Sequence, residues 1–137
     1  MEAPNAEQKC VLIVEDNALN MKLFSAIIAA QGHGVLRASD GPRCLDLAHQ
    51  EHPDLIIIDV NLPGMSGLEV THSLKTDADT KDIPIIVTTA YGLRADDEEV
   101  RASGCDGFMA KPIGISAFLE LVELCMMRPV RRRLPID

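Results

Sequence analysis

Aromatic residues are scarce in this chain: its 137 residues include no tryptophan, one tyrosine and three phenylalanines. A flavin-binding module wants aromatic faces to flank the ring, and this composition offers few. Long apolar runs are also missing. No stretch approaches the ~20 residues that a membrane helix needs, and the start, MEAPNAEQK, lacks the basic and apolar regions of a secretory signal. The cytoplasm is the expected location. Cys10, Cys44, Cys105 and Cys125 form no C-x-x-C and suggest no disulfide framework, so packed, reduced thiols are expected. A basic excess is absent as well. The net charge is -8, with residues 128–137 at +3 and residues 1–127 at -11. Such a body repels nucleic acid, whose binding is dominated by phosphate contacts. Arg131–Arg133 is read as a solvated tail rather than a contact for an anion or a membrane surface. His49 and His52 stand at helical spacing with Pro53 directly after them. Without an apparent third ligand they read as a fraying, solvated helix end rather than a zinc site.

What is present is a chain that is 47% hydrophobic, long enough for one domain with a sizeable core. Short β-branched runs alternate with helical patterns. The strand-like runs are Cys10–Val14, Gly34–Ala38, Leu55–Ile58, Ile85–Thr89 and Gly107–Ala110. Helical stretches are expected at 18–31, 41–51, 66–76, 94–103 and 115–127. Ser66 and Glu69 form a capping box, Asp40 and Pro42 suit a helix start, and Gly32 and Gly104 suit helix stops. Five strands alternating with five helices predict an α/β fold: a doubly wound, five-stranded parallel sheet flanked by helices. The strand order 2-1-3-4-5 suits this chain and places the topological switch point between the first and third strands.

At the carboxyl end of that sheet the sequence delivers unusual chemistry. The first strand ends in Glu15 and Asp16, the third in Asp59, the fourth in Thr88 and Thr89, and the fifth leads to Lys111 and Pro112. Three carboxylates crowded against one ammonium need compensation. A divalent cation would supply it, and an oxygen-only donor set at an open edge favours Mg²⁺. Metal and lysine together suit a phosphoryl group. The alternative at this point is an acidic rim with a structural lysine–aspartate salt bridge.

The blocks VLIVEDN, LIIIDVNLPGMSG, IPIIVTTA and FMAKP, in that order over residues 10 to 127, resemble the response-regulator receiver domain of bacterial two-component signalling. Within the family, VEDNALNMKLF, SGLEVT and GCDGFMAKPI are most similar to a single-domain group that regulates cell division and polarity. The resemblance implies a CheY-like receiver over 10–127, an extension at 1–9 and a basic tail at 128–137 without an output domain. It makes Asp59 the phosphoacceptor, with Mg²⁺ held by Asp16, Asp59 and the backbone carbonyl of Asn61, and Glu15 assisting through water. Lys111 pairs with the phosphoryl group through a cis Lys111–Pro112 bond, and Thr89 and Phe108 match the paired switch positions. Asn61 and Tyr91 match positions that tune hydrolysis. Two departures stand out. Glu15 replaces the commoner aspartate, which leaves its direct ligation open, and Phe108 lacks the hydroxyl of the usual tyrosine.

The implied partners are a histidine kinase or histidine phosphotransferase upstream and a kinase or adaptor downstream, the chain itself being a monomer or weak dimer. The first helix is apolar over a wide arc, with Lys22 and Ser25 as its polar strip, and Leu19 and Met21 are candidates for docking the histidine-bearing helices. Leu124 and Met127 fall outside the buried arc of the fifth helix and are candidates for a partner surface. The fourth helix has only Val100 to bury after Leu93 and is expected to be weakly anchored. The enzymatic alternative is a haloacid-dehalogenase-like, Mg²⁺-dependent phosphatase. It normally needs a second acid two residues after the nucleophile, and Asn61 stands there.

Overall fold

The computed structural model describes residues 8–89 and 93–127. Tyr91, most of the 1–9 extension and the basic tail with Arg131–Arg133 lie outside the described residues. Five strands alternate with five helices: β1 Cys10–Val14, α1 Ala18–Ala30, β2 Gly34–Ala38, α2 Gly41–Glu51, β3 Leu55–Asp59, α3 Gly67–Lys75, β4 Ile85–Thr89, α4 Glu98–Ser103, β5 Gly107–Ala110 and α5 Ile115–Met126. All pairings are parallel, in the expected order β2-β1-β3-β4-β5.

The continuous apolar character of β1, β3 and β4 follows from burial on both faces. Leu12, Val14, Ile56, Ile58, Ile85 and Val87 point into one core with Cys44 and Leu47 of α2 and Val70 and Leu74 of α3. Val11, Ile13, Leu55, Ile57 and Ile86 point into the other, with Phe24 and Ile28 of α1 and Phe118 and Val122 of α5. The Phe24 and Phe118 rings stack there with centroids 5.2 Å apart. Burial pushes the Cys44 thiol up to about 12, so it stays protonated, and only the thiolate alkylates readily. Iodoacetamide near neutral pH should therefore leave Cys44 unmodified in the folded protein, read by mass spectrometry, and modify it on unfolding. Labelling at the rate of a free thiol would mean that α2 opens locally.

Three sequence expectations change. The fourth helix starts at Glu98, not near residue 94, because the Asp97 carboxylate accepts the Arg94 N–H at 2.9 Å and holds a separate turn. Such local side-chain bonds compete with helix. Ser25 is not on a polar strip: it is buried, and its hydroxyl accepts a bond from Arg37 Nε at 3.2 Å. The third strand runs one residue further than its apolar run and includes Asp59 itself.

Candidate functional site

Asp59 is the last residue of the innermost strand, and both flanking strands define its surroundings. β1 pairs along one side of β3 and delivers Glu15 and Asp16 immediately beyond its end. β4 pairs along the other side, in register Asp59 with Thr88. Lys111 follows β5 and is tied back by its backbone N–H, which donates to the Thr89 carbonyl at 2.6 Å. The Lys111–Pro112 peptide is cis. The local sequence completes the placement. Asn17 caps α1 by accepting the Asn20 N–H at 2.8 Å, so the chain turns into helix just past the acids. The Ser66–Glu69 capping box starts α3.

The groups expected to act together do meet. Oxygens of Glu15, Asp16 and Asp59 lie within 4.8 Å of one another. Glu15 and Asp59 are buried, at 3% and 5% exposure, whereas Asp16 is open to solvent. Lys111 Nζ donates to Glu15 Oε1 at 3.1 Å and to Asp59 Oδ2 at 3.4 Å. Asp59 Oδ1 accepts the Asn61 N–H at 3.1 Å, and Glu15 Oε2 accepts the Asn17 N–H at 3.3 Å. Both oxygens of Glu15 are therefore engaged already. Burial raises the Glu15 carboxyl above the usual range, the nearby Asp59 charge adds to the rise, and Lys111 offsets part of it. Two buried carboxylates sharing one ammonium leave local negative charge uncompensated. An oxygen-only donor set of this kind, with one acid facing solvent, fits a hard cation that keeps several waters, which is the behaviour of Mg²⁺.

Thr89 ends β4 and is buried, at 1% exposure. Its hydroxyl makes no hydrogen bond to the carboxylates among the described residues. Phe108 is half-buried against the α2/α3-side core and borders a cleft of about 260 Å³ lined also by Ala95, Val100, Arg101 and Cys105. Of the two docking candidates, Leu19 is 74% exposed, but Met21 is half-buried and packs against the α1/α5-side core. Leu23, at 48% exposure, shares the open surface instead. Leu124 and Met127 do stand clear of the α5 core face, at 60% and 73% exposure.

Sequence reasoning missed Gly67. A Cβ there would meet the Asp59 carbonyl oxygen at 2.2 Å and its carbon at 2.8 Å, while the Gly67 N–H donates to the Val60 carbonyl at 2.9 Å. The capping box was a signal for the helix start but not for its close approach to the acceptor strand. Thr88, expected at the end of the fourth strand, has its hydroxyl buried without a partner among the described residues.

Comparison with known proteins bears on what this site is. A family described as "Response regulator receiver domain" matches residues 11–123. The chain is similar to the polar-differentiation response regulator DivK of Brucella ovis, 47% identical over 115 residues that cover 84% of this chain and 94% of that protein. DivK of Brucella anthropi is 46% identical over the same coverage. Among solved structures, the receiver domain of the sensor histidine kinase PA1611 from Pseudomonas aeruginosa superposes with TM-score 0.79 at 26% identity, covering 87% of this chain and 98% of that one. Magnesium is coordinated in its active-site cleft. The chemotaxis response regulator CheY4 of Vibrio cholerae gives TM-score 0.80 at 28% identity, covering 86% and 98%. The phosphatase alternative finds no support in these matches. No helix among the described residues is long and apolar enough to cross a membrane.

Proposed function

The chain belongs to the response regulator receiver domain family, and on that premise we propose that Asp59 accepts a phosphoryl group from a phosphohistidine on a partner kinase or phosphotransferase. The observation that carries this reading is the pair of buried carboxylates, Glu15 and Asp59, held on the single Lys111 ammonium at an open sheet edge. Asp16, Asp59 and the Asn61 carbonyl would hold Mg²⁺, with Glu15 acting through water because its oxygens are committed to Lys111 and Asn17. When bound, the ion offsets and orients charge on the transferring phosphoryl oxygens.

An Asp59 carboxylate oxygen attacks phosphorus. The P–N bond breaks, its electron pair returns to the imidazole, and an acyl phosphate forms on Asp59. Lys111 exchanges its carboxylate partners for phosphoryl oxygens. The Thr89 hydroxyl then turns toward the new oxygens, and Phe108 repacks into the space it leaves, coupling the site to the β4–β5 side. The output is a changed surface read by a downstream kinase or adaptor. The similarity to DivK supports a role in cell polarity or division control. Cytoplasmic location and a receiver domain over 10–127 are part of the same reading.

Incubation with acetyl phosphate should shift the protein on a phosphate-affinity gel with Mg²⁺ and not with a chelator in excess. Labelling that ignores the metal would defeat the magnesium assignment. Leu19 is proposed to dock the donor's helices. Leu19→Glu should slow transfer from a phosphorylated histidine protein about tenfold, as loss of an apolar anchor does, while labelling by acetyl phosphate stays unchanged. An unchanged protein-to-protein rate would remove Leu19 from the docking surface.

A further inference from the structure

His49 and His52 lack a third partner in the linear sequence, and the fold supplies one. The loop between α3 and β4 sets Asp79 between the two rings: Asp79 Oδ2 lies 2.9 Å from His49 Nδ1, and Oδ1 lies 3.0 Å from His52 Nε2. Asp77 Oδ2 stands 3.5 Å from the other nitrogen of His49. Asp77 Oδ1 accepts the Asp79 N–H at 2.8 Å, which holds both acids in one turn. The end of α2 is closed by a backbone hydrogen bond. The His52 N–H donates to the Ala48 carbonyl at 3.0 Å, and His52 adopts a left-handed conformation with φ 46°. Glycine or asparagine is the usual occupant of such a cap; here a histidine occupies it, and its ring meets Asp79.

We propose that His49, His52 and Asp79 form a second metal site, one for a borderline divalent transition metal such as Zn²⁺ or Ni²⁺, with Asp77 beside the other nitrogen of the His49 ring. Two imidazoles and a carboxylate make a nitrogen-rich donor set that suits these ions. Mg²⁺, a hard cation, belongs with the all-oxygen set at the sheet edge. The present N···O separations are near the ~3.3 Å that separates ligands bound ~2.05 Å from a tetrahedral ion. The cluster is a hydrogen-bonded precursor rather than a finished coordination sphere, because only the Glu15, Asp16 and Asp59 set already has its ligand atoms gathered, among the described residues. Metal entry replaces both N···O bonds by metal–ligand bonds, draws the rings together and releases to solvent any proton on a coordinating nitrogen. The rings are 40% and 50% exposed, which leaves them free to turn and the ion free to reach them. The bound ion would clip the end of α2 to the loop that feeds β4.

The test is titration of the untagged full chain with NiCl₂ in saturating Mg²⁺, followed by NMR. A single saturable site is expected, with paramagnetic broadening confined to residues near 49–54 and 77–81. His52→Ala and Asp79→Asn should each weaken it about tenfold or more, whereas His72→Ala should leave it unchanged. Melting curves without metal establish that each variant is folded. Equal affinity in the His49→Ala/His52→Ala double variant, broadening centred on Asp59 or Cys10, or no saturable binding overturns the proposal and leaves a hydrogen-bonded clasp.

Discussion

Asp59→Asn should abolish labelling by acetyl phosphate while leaving the protein folded. The substitution keeps the shape and an oxygen for the Asn61 N–H, now accepted at 3.1 Å, but an amide is no nucleophile toward phosphorus. Lys111 retains Glu15 at 3.1 Å, so the ammonium stays partnered. Removal of one of two crowded negative charges should hold or raise the stability of the unphosphorylated form, by up to about 1 kcal/mol. Phosphate-affinity electrophoresis checks the first part and thermal melting the second. The exposed Asp16 is the obvious substitute acceptor. A variant labelled as fully as wild type would move the acceptor role there and undo the assignment of Asp59.

Gly67→Ala should cost stability out of proportion to one methyl group. The new Cβ would fall 2.2 Å from the Asp59 carbonyl oxygen and 3.0 Å from the Val60 Cα. Both are backbone atoms of the acceptor strand's exit, so no rotamer change relieves the clash. Either α3 withdraws and loses the Gly67–Val60 hydrogen bond, or the end of β3 shifts and carries Asp59 with it. Overpacking of a well-packed interior typically costs 1–3 kcal/mol, and a rigid backbone neighbour puts this case at about 3 kcal/mol, or a melting temperature roughly 10 °C lower. Phosphoryl labelling below the melting range should fall as well, because the acceptor moves relative to Lys111. A loss under about 1 kcal/mol would show that the α3 start can give way without consequence.

The clasp at His49, His52 and Asp79 and the close approach at Gly67 share a property. Each joins residues that no local sequence pattern pairs, and each is built by a loop whose path depends on the completed sheet. Met21 and Ser25 make the same point on α1. The whole helix is apolar enough that pattern alone leaves open which arc is buried, and packing against Phe118 selects Phe24, Ser25 and Ile28 over Leu19 and Leu23. The fourth helix is a local failure of a different kind, since the Asp97 side chain bonds backward to Arg94 instead of capping forward.

The sequence by itself determined the layered fold and the acidic edge. Alternating apolar runs and helix signals specify parallel strands covered on both faces, and strand order then sends Glu15, Asp16, Asp59 and Lys111 to one end, because every parallel strand exits on the same side. Only the tertiary structure decided which carboxylates are buried, that Lys111 bridges Glu15 and Asp59, that Gly67 must lack a side chain, and that Asp79 reaches two histidines. Those facts depend on distances between segments far apart in the chain, and a local pattern carries no information about such distances until the core has set them.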